Sequence, residues 1–341
     1  MKKVFLLLVA FLFVVGCKGL AMEYIAQQAI MNISKIESFS GTIREKGLLE
    51  KDAAVRTTVA YKKPDKFVAT ILEPDDFKGD TFLFDGKEMR IYYKSASFGV
   101  VFTGLPEVLP DTTEMRHERI RRNLRRGAAE NKSVWKGRGK VAGRWAHNFL
   151  AIPKEKGKYR FKNYFWSDSE YSMPMKVTLF DAKGAVVYSF KYEDIVFNKE
   201  IEDKEFEFEF PYETTVGRWK LDASSFTLAQ VKKDMNFEML LPTKLPKSMK
   251  LKRIVKAPGF VPATCLIYSD GLYYLMLTEM RDYEIEAVKP RGIKVPDVAD
   301  GARLLLFGES SIVSWKEKGV ILTLTGNLPY HDVVSIAESI E

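Results

Sequence analysis

Glu205-Phe206-Glu207-Phe208-Glu209-Phe210 alternates acid and aromatic without a slip. Successive side chains of a strand point to opposite faces, so the stretch predicts a strand with one apolar and one wet face. Towards the start of the chain the same period of two recurs. Ser40 to Arg44, Val55 to Tyr61 and Lys66 to Leu72 read as strands, broken at Pro64-Asp65 and Glu73-Pro74. Thr81 to Phe84 and Met89 to Tyr93 flank Asp85-Gly86, a hairpin signal because glycine tolerates positive φ. Further strands are expected at Arg144 to Ile152, Tyr159 to Trp166, Met175 to Phe180 and Val186 to Tyr192. Two helices interrupt them. Met22 to Ser34 places Ile25, Ala29 and Ile33 on one face, and Asp111-Thr-Thr-Glu114 resembles a capping box for a helix stopping near Gly127. A long antiparallel sheet with one aromatic face must cover that face, and these helices are the candidates.

The strand pattern lapses between Pro211 and Asp222. Beyond it, strands are expected near Leu251 to Val255, Thr264 to Tyr268, Leu272 to Glu279, Ala302 to Phe307, Ser311 to Lys316 and Val320 to Thr325. His331 to Ile340 closes as a helix with Val334, Ala337 and Ile340 on one face. The expected organisation is a targeting segment over 1–17, a mainly β domain over 18–215, a linker over 216–228 and a small α+β domain over 229–341. With 341 residues, 46% hydrophobic and 13% aromatic, the chain can support two cores.

Met1-Lys2-Lys3 is a short positive head, and Val4 to Val15 carry no charge. A dozen apolar residues fall short of the roughly 20 that a membrane-spanning helix needs, and suit a secretory signal. Val14-Val15-Gly16-Cys17 then resembles the bacterial lipobox, which implies a lipid on Cys17 and an exported chain held on a membrane. Lys18 stands where an Asp would be the inner-membrane retention signal, which leans towards an outer membrane. Cys265 is the other cysteine, in an apolar stretch that suits a small buried hydrophobe rather than a nucleophile.

The order of elements is similar to a known family. Ile36-Glu-Ser-Phe-Ser-Gly41, Lys63-Pro-Asp-Lys-Phe67, Glu73-Pro74, Asp85-Gly-Lys87 before Tyr92, Val141-Ala-Gly143 before Phe149-Leu-Ala-Ile-Pro153, and Trp166-Ser-Asp168 before Pro174-Met-Lys resemble the LolA/LolB lipoprotein-carrier superfamily. Asp181-Ala-Lys-Gly184 and the Phe206 to Pro211 stretch continue the likeness. That superfamily shares its fold with the amino-terminal domain of the RseB/MucB family. The resemblance implies an unclosed half-barrel with a helical lid over a hydrophobic cavity. Leu241-Pro242 with Leu245-Pro246, Tyr268-Ser-Asp-Gly-Leu272 and Thr325-Gly-Asn-Leu-Pro329 resemble the carboxy-terminal domain of the RseB/MucB family. RseB-type regulators are soluble, whereas this chain carries a lipobox.

No catalytic constellation emerges. His117, His147 and His331 lie far apart, and the sequence has no His-Glu-x-x-His, Cys-x-x-Cys or Gly-x-Ser-x-Gly. Gly137-Arg-Gly139 reads as hairpin turn rather than a nucleotide loop. No metal and no cofactor are expected. Phe82, Phe84, Tyr92, Phe149, Phe165, Tyr188, Phe190, Phe206 and Phe208 are the candidates to line a cavity for acyl chains of lipid or lipoprotein. Arg116, Arg119, Arg122 and Arg126 recur at helical spacing, and guanidinium pairs bidentately with phosphate, so they are expected to contact anionic headgroups or a partner. The net charge of +8 fits anionic partners, and export argues against nucleic acid. Two readings follow: a non-enzymatic lipid- or lipoprotein-binding envelope protein, or a regulator gripping a membrane-embedded anti-sigma factor. The second domain favours a regulator; the lipobox favours the first reading.

Overall fold

A computed structural model describes residues 18–49, 53–108, 111–221, 226–234, 237–257, 263–282, 291–307 and 309–341. Cys17 and the signal segment lie outside the described residues. The chain opens with helix α1 (Lys18–Ile33) and six strands: β1 (Ser38–Lys46), β2 (Val55–Lys62), β3 (Lys66–Glu73), β4 (Thr81–Phe84), β5 (Glu88–Tyr93) and β6 (Phe98–Thr103). Helix α2 (Thr113–Glu130) follows. Then come β7 (Asn131–Val141), β8 (Arg144–Pro153), β9 (Lys162–Asp168), β10 (Pro174–Phe180), β11 (Val186–Phe197) and β12 (Thr215–Lys220). These strands form one sheet in the order β12-β6-β5-β4-β3-β2-β1-β11-β10-β9-β8-β7, which does not close on itself. Mainly β architecture with an unclosed sheet is therefore what forms.

The second sheet runs β13 (Lys250–Ala257), β14 (Ala263–Ser269), β15 (Tyr274–Arg281), β19 (Val320–Gly326), β18 (Ser310–Glu317), β17 (Arg303–Phe307) and β16 (Ile293–Lys294). A short helix α3 (Leu228–Asp234) precedes it. Helix α4 (Tyr330–Ala337) buries Val333, Val334, Ile336 and Ala337 against it. The opposite side of that sheet, with Val255, Ala263, Cys265 and Ile267, packs on Trp219, Phe102 and Val100 of β12 and β6. The Tyr268-Ser-Asp-Gly-Leu string ends β14 and turns at Asp270. The Asp270 carboxylate accepts the backbone N–H of Leu272 and Tyr273, and Gly271 takes the positive φ of 96°.

Four expectations need correction. The decisive alternating stretch is not a strand. Asp203–Phe206 is a 3-10 turn and residues 207–210 run extended without ladder partners. Every place in the sheet beside β3, β4 and β5 is already filled, so the stretch lies across the outer face as a strap. Its alternation still sorts the side chains. Phe206 is 2% exposed, the Phe208 and Phe210 rings pack 5.4 and 6.0 Å from the Tyr92 ring, and Arg90 donates to the Phe208 carbonyl. Residues 216–220, expected as linker, belong to β12, which pairs in parallel with β6 and buries Trp219. Gly137-Arg-Gly139 is not a turn but lies inside β7, beside a bulge at Lys136. The helix expected to stop at Gly127 continues to Glu130, and Thr112 caps its start by accepting the Met115 N–H.

Candidate ligand-binding face

Opposed residues of an antiparallel pair share a face, so the register assigns each aromatic candidate to a side. Phe82 opposes Ala69 and Ile91, and Phe84 opposes Phe67 and Met89. Phe190 opposes Glu45 and Val177, and Tyr188 opposes Leu179. Phe165 opposes Val177 and Phe149. Followed from β4 to β8, the ladder puts Phe82, Phe84, Phe149, Phe165, Tyr188 and Phe190 on one face. Tyr92, Phe206 and Phe208 are not with them: Tyr92 opposes Thr81 and Gly99 on the outer face, beneath the strap.

The shared face is the inner one. Its Val55, Leu179 and Tyr188 are continuous with the core of the second domain. The outer face instead carries Arg44 and Arg56, both bound to Glu193 at 2.5 and 2.9 Å. Helix α2 starts over the β2–β3 turn, where Arg116 donates to the Pro64 carbonyl, and ends where β7 begins. Although these aromatics point inward, Phe82, Phe84, Phe149, Phe165 and Phe190 are only half-buried, as are Phe67, Ile91 and Val177. A filled core would leave them dry. Phe149 and Phe165 stack at 5.2 Å, and Phe67 and Phe82 pack at 6.0 Å.

Two polar groups interrupt this apolar lining. Tyr188 donates to Glu45 Oε1 at 2.7 Å, and burial raises both the Glu45 carboxyl and the Tyr188 phenol above their ordinary pKa values. Asn163, opposite Leu179, has a buried Oδ1 with no hydrogen-bond partner among the described residues. Few, placed polar groups in an apolar wall are what fixes the orientation of a ligand.

The arginines of α2 find their anions inside the chain. Arg119 is 5% exposed and bonds Asp111 at 2.6 Å and Glu309 of the second domain at 3.3 Å. Arg126 bonds Glu130 and Asp332, both at 2.6 Å, beside His331. Arg116 pairs with Asp111, and Arg122 with Glu118. Arg121 and Arg125 both reach Glu23 on α1. The helix whose arginines are expected to contact anionic headgroups or a partner thus acts within the chain as a strut, with α1 on one side and the second domain on the other. Among the described residues no group of three His, Cys, Asp or Glu is placed to hold a metal. Cys265 is buried, which pushes its thiol up to about 12, beyond use as a nucleophile.

The model of the MucB/RseB N-terminal domain matches residues 103–209. The likeness to the MucB/RseB family read from the sequence is thus matched over part of the first domain. That span runs from the end of β6 through α2 and β7–β11 to the strap, and so contains Phe149, Phe165, Tyr188 and Phe190. Among solved structures, the MucA/MucB complex of Pseudomonas aeruginosa is similar at 15% identity and a TM-score of 0.46, over 93% of this chain and 98% of that one. A putative outer membrane lipoprotein-sorting protein domain from Vibrio parahaemolyticus is similar at 16% identity and a TM-score of 0.28, over 54% of this chain and 94% of that one. A LolA superfamily protein from Nitrosomonas europaea is similar at 14% identity and a TM-score of 0.26, over 54% and 97%. No curated protein matches the chain.

Proposed function

We propose that the chain is a non-enzymatic envelope lipoprotein that takes acyl chains of lipid or lipoprotein against the inner face of its first sheet. The observation that supports this reading is that six aromatics converge on one face and five of them stay half-buried. Sequestering them from water rewards an apolar guest at roughly 25 cal/mol per Å² buried. Glu45 and Asn163 provide the polar contacts for its head. Cys17 carries the anchoring lipid, so the protein acts as a stationary receiver rather than a diffusing carrier.

The test is binding of a fluorescent fatty acid to the chain from residue 18 onward. Affinity is expected to fall at least tenfold in Phe149→Ser/Phe165→Ser, with the thermal transition kept. No probe binding by the unaltered chain, together with crosslinking in cells to one membrane-embedded protein, would replace this reading with a regulator of the kind MucB represents beside MucA. Anchoring is tested separately. Cys17→Ser is expected to abolish metabolic labelling with palmitate, and persistent labelling would contradict it.

A further inference from the structure

The β7–β8 hairpin shows what α2 does not. From Asn131 to Pro153 there are five Lys or Arg residues and no Asp or Glu. Arg144 is held by Asp168 at 2.7 Å and by Glu170 at 3.0 Å. Lys132, Lys136, Arg138 and Lys140 are exposed and form no ion pair among the described residues. Two tryptophans stand between these cations, Trp135 at 51% exposure and Trp145 at 54%. Arg138 and Lys140 each lie 5.4 Å from the centre of the Trp145 ring. Trp135, Arg138, Lys140 and Trp145 share one face, because Trp135 opposes Phe149, Arg138 opposes His147 and Lys140 opposes Trp145. That row forms the rim of the inner face, and the stacked Phe149–Phe165 pair is the next step inward.

We infer that this edge docks on the surface of an anionic lipid bilayer. Unpaired cations beside exposed tryptophan suit the interface, where amphipathic rings sit at headgroup level and each nearby cation adds attraction. A partner strand is not what the edge is shaped for. The bulge at Lys136 interrupts the ladder, and lysines along an edge oppose strand addition. Position favours the bilayer too. Glu23 of α1 holds Arg121 and Arg125 near the end of α2 that runs directly into β7. The two helices run antiparallel, so Lys18, five helical residues before Glu23, starts α1 about 8 Å along its axis from the Glu23 contact, towards the β7 end of α2. A lipid on residue 17 would hold this edge against the leaflet. An acyl chain leaving the leaflet would pass Trp135 and Trp145 before meeting Phe149. This direction of transfer rests on the acyl-binding reading, whereas docking itself does not.

The experiment is sedimentation of the chain from residue 18 onward with vesicles, comparing phosphatidylglycerol-rich with pure phosphatidylcholine membranes. Binding is expected only to the anionic vesicles, and to weaken as salt rises from roughly 0.05 to 0.5 M. The variant Lys132→Gln/Lys136→Gln/Arg138→Gln/Lys140→Gln is expected to lose on the order of a hundredfold in affinity or more. Trp135→Ala/Trp145→Ala is expected to lose about tenfold. Arg122→Gln/Arg125→Gln in α2 serves as the control, because those arginines already have carboxylate partners, and should bind as the unaltered chain does. Phe149→Ser/Phe165→Ser should lose the fatty-acid probe yet keep vesicle binding, which separates the two proposals. Equal binding to both vesicle types, or no change in the quadruple variant, overturns the inference. So does an absence of vesicle binding accompanied by capture of an acidic protein through β7.

Discussion

At the scale of single residues, Glu279 carries the sharpest consequence. It is fully buried in the middle of the second sheet, where Oε2 accepts the Leu240 N–H at 3.2 Å and Oε1 has no partner among the described residues. Burial raises its pKa from 4.5 to about 7. Between those values the folded chain holds a proton that the unfolded chain has lost. Stability is therefore fully present below about pH 4.5, declines as pH rises to 7, and is flat above that, a total on the order of 3 kcal/mol. Glu279→Gln keeps an acceptor for Leu240 without the charge. Calorimetry should show it more stable than the unaltered chain at pH 8 and no different near pH 4. A variant less stable at pH 8 would mean that the carboxylate is stabilised by contacts other than these. The sequence showed none of this, since Thr264-Cys-Leu-Ile and Leu277-Thr-Glu-Met simply read as strand. The partners of the α2 arginines were hidden for the same reason. Glu23, Glu309 and Asp332 lie roughly 100 to 200 positions away in sequence, and only folding brings them together.

At the scale of elements, α2 is clamped by the second domain. Arg119 reaches Glu309, Arg126 reaches Asp332, and the Tyr273 hydroxyl donates to Asn123 at 3.0 Å. Glu309→Gln/Asp332→Asn should raise amide exchange along α2 severalfold while β14 and β15 keep their protection. Unchanged exchange would show that apolar contacts alone hold the helix. The strap makes a second prediction. A Cβ at Gly99 would fall 2.3 Å from the Phe210 ring. Gly99→Val should therefore cost about 1–3 kcal/mol, measured by denaturant unfolding, and the additional change Phe210→Ala should recover part of it. Strands were legible where strict alternation marks one apolar face, as in β2 and β4, but not in β6, whose Phe-Gly-Val-Val-Phe-Thr has apolar residues on both sides. They were not legible in β7, where Asn-Lys-Ser-Val-Trp-Lys-Gly-Arg-Gly-Lys sits at an edge with little to bury on either side. The acid–aromatic stretch marks the converse limit. Period two reports an extended chain with two unlike sides, not whether a hydrogen-bonding neighbour is available.

At the scale of the whole molecule, two sheets meet so that the second domain closes off one flank of the inner face. Gly292 donates to the Leu48 carbonyl, Arg291 pairs with Asp80 and stacks on Phe77 at 3.7 Å, and Phe161 stacks on Tyr330 at 5.5 Å. The rim carrying the exposed Trp135 and Trp145 borders Phe149 at the β7 edge. Six of the nine aromatics expected to line a cavity share one sheet face, because alternation within a strand is local. Tyr92, Phe206 and Phe208 were misgrouped because the side a strap crosses depends on which sheet positions are already occupied. The central claim is that the half-buried inner face is a seat for an acyl chain. Native mass spectrometry of the chain recovered from its own cells, after proteolysis that removes the amino-terminal residues up to Cys17, tests that most directly. The account predicts discrete additional masses of single lipids that vanish in Phe149→Ser/Phe165→Ser. Recovery of the folded chain at its bare mass, with the inner face intact, would contradict it.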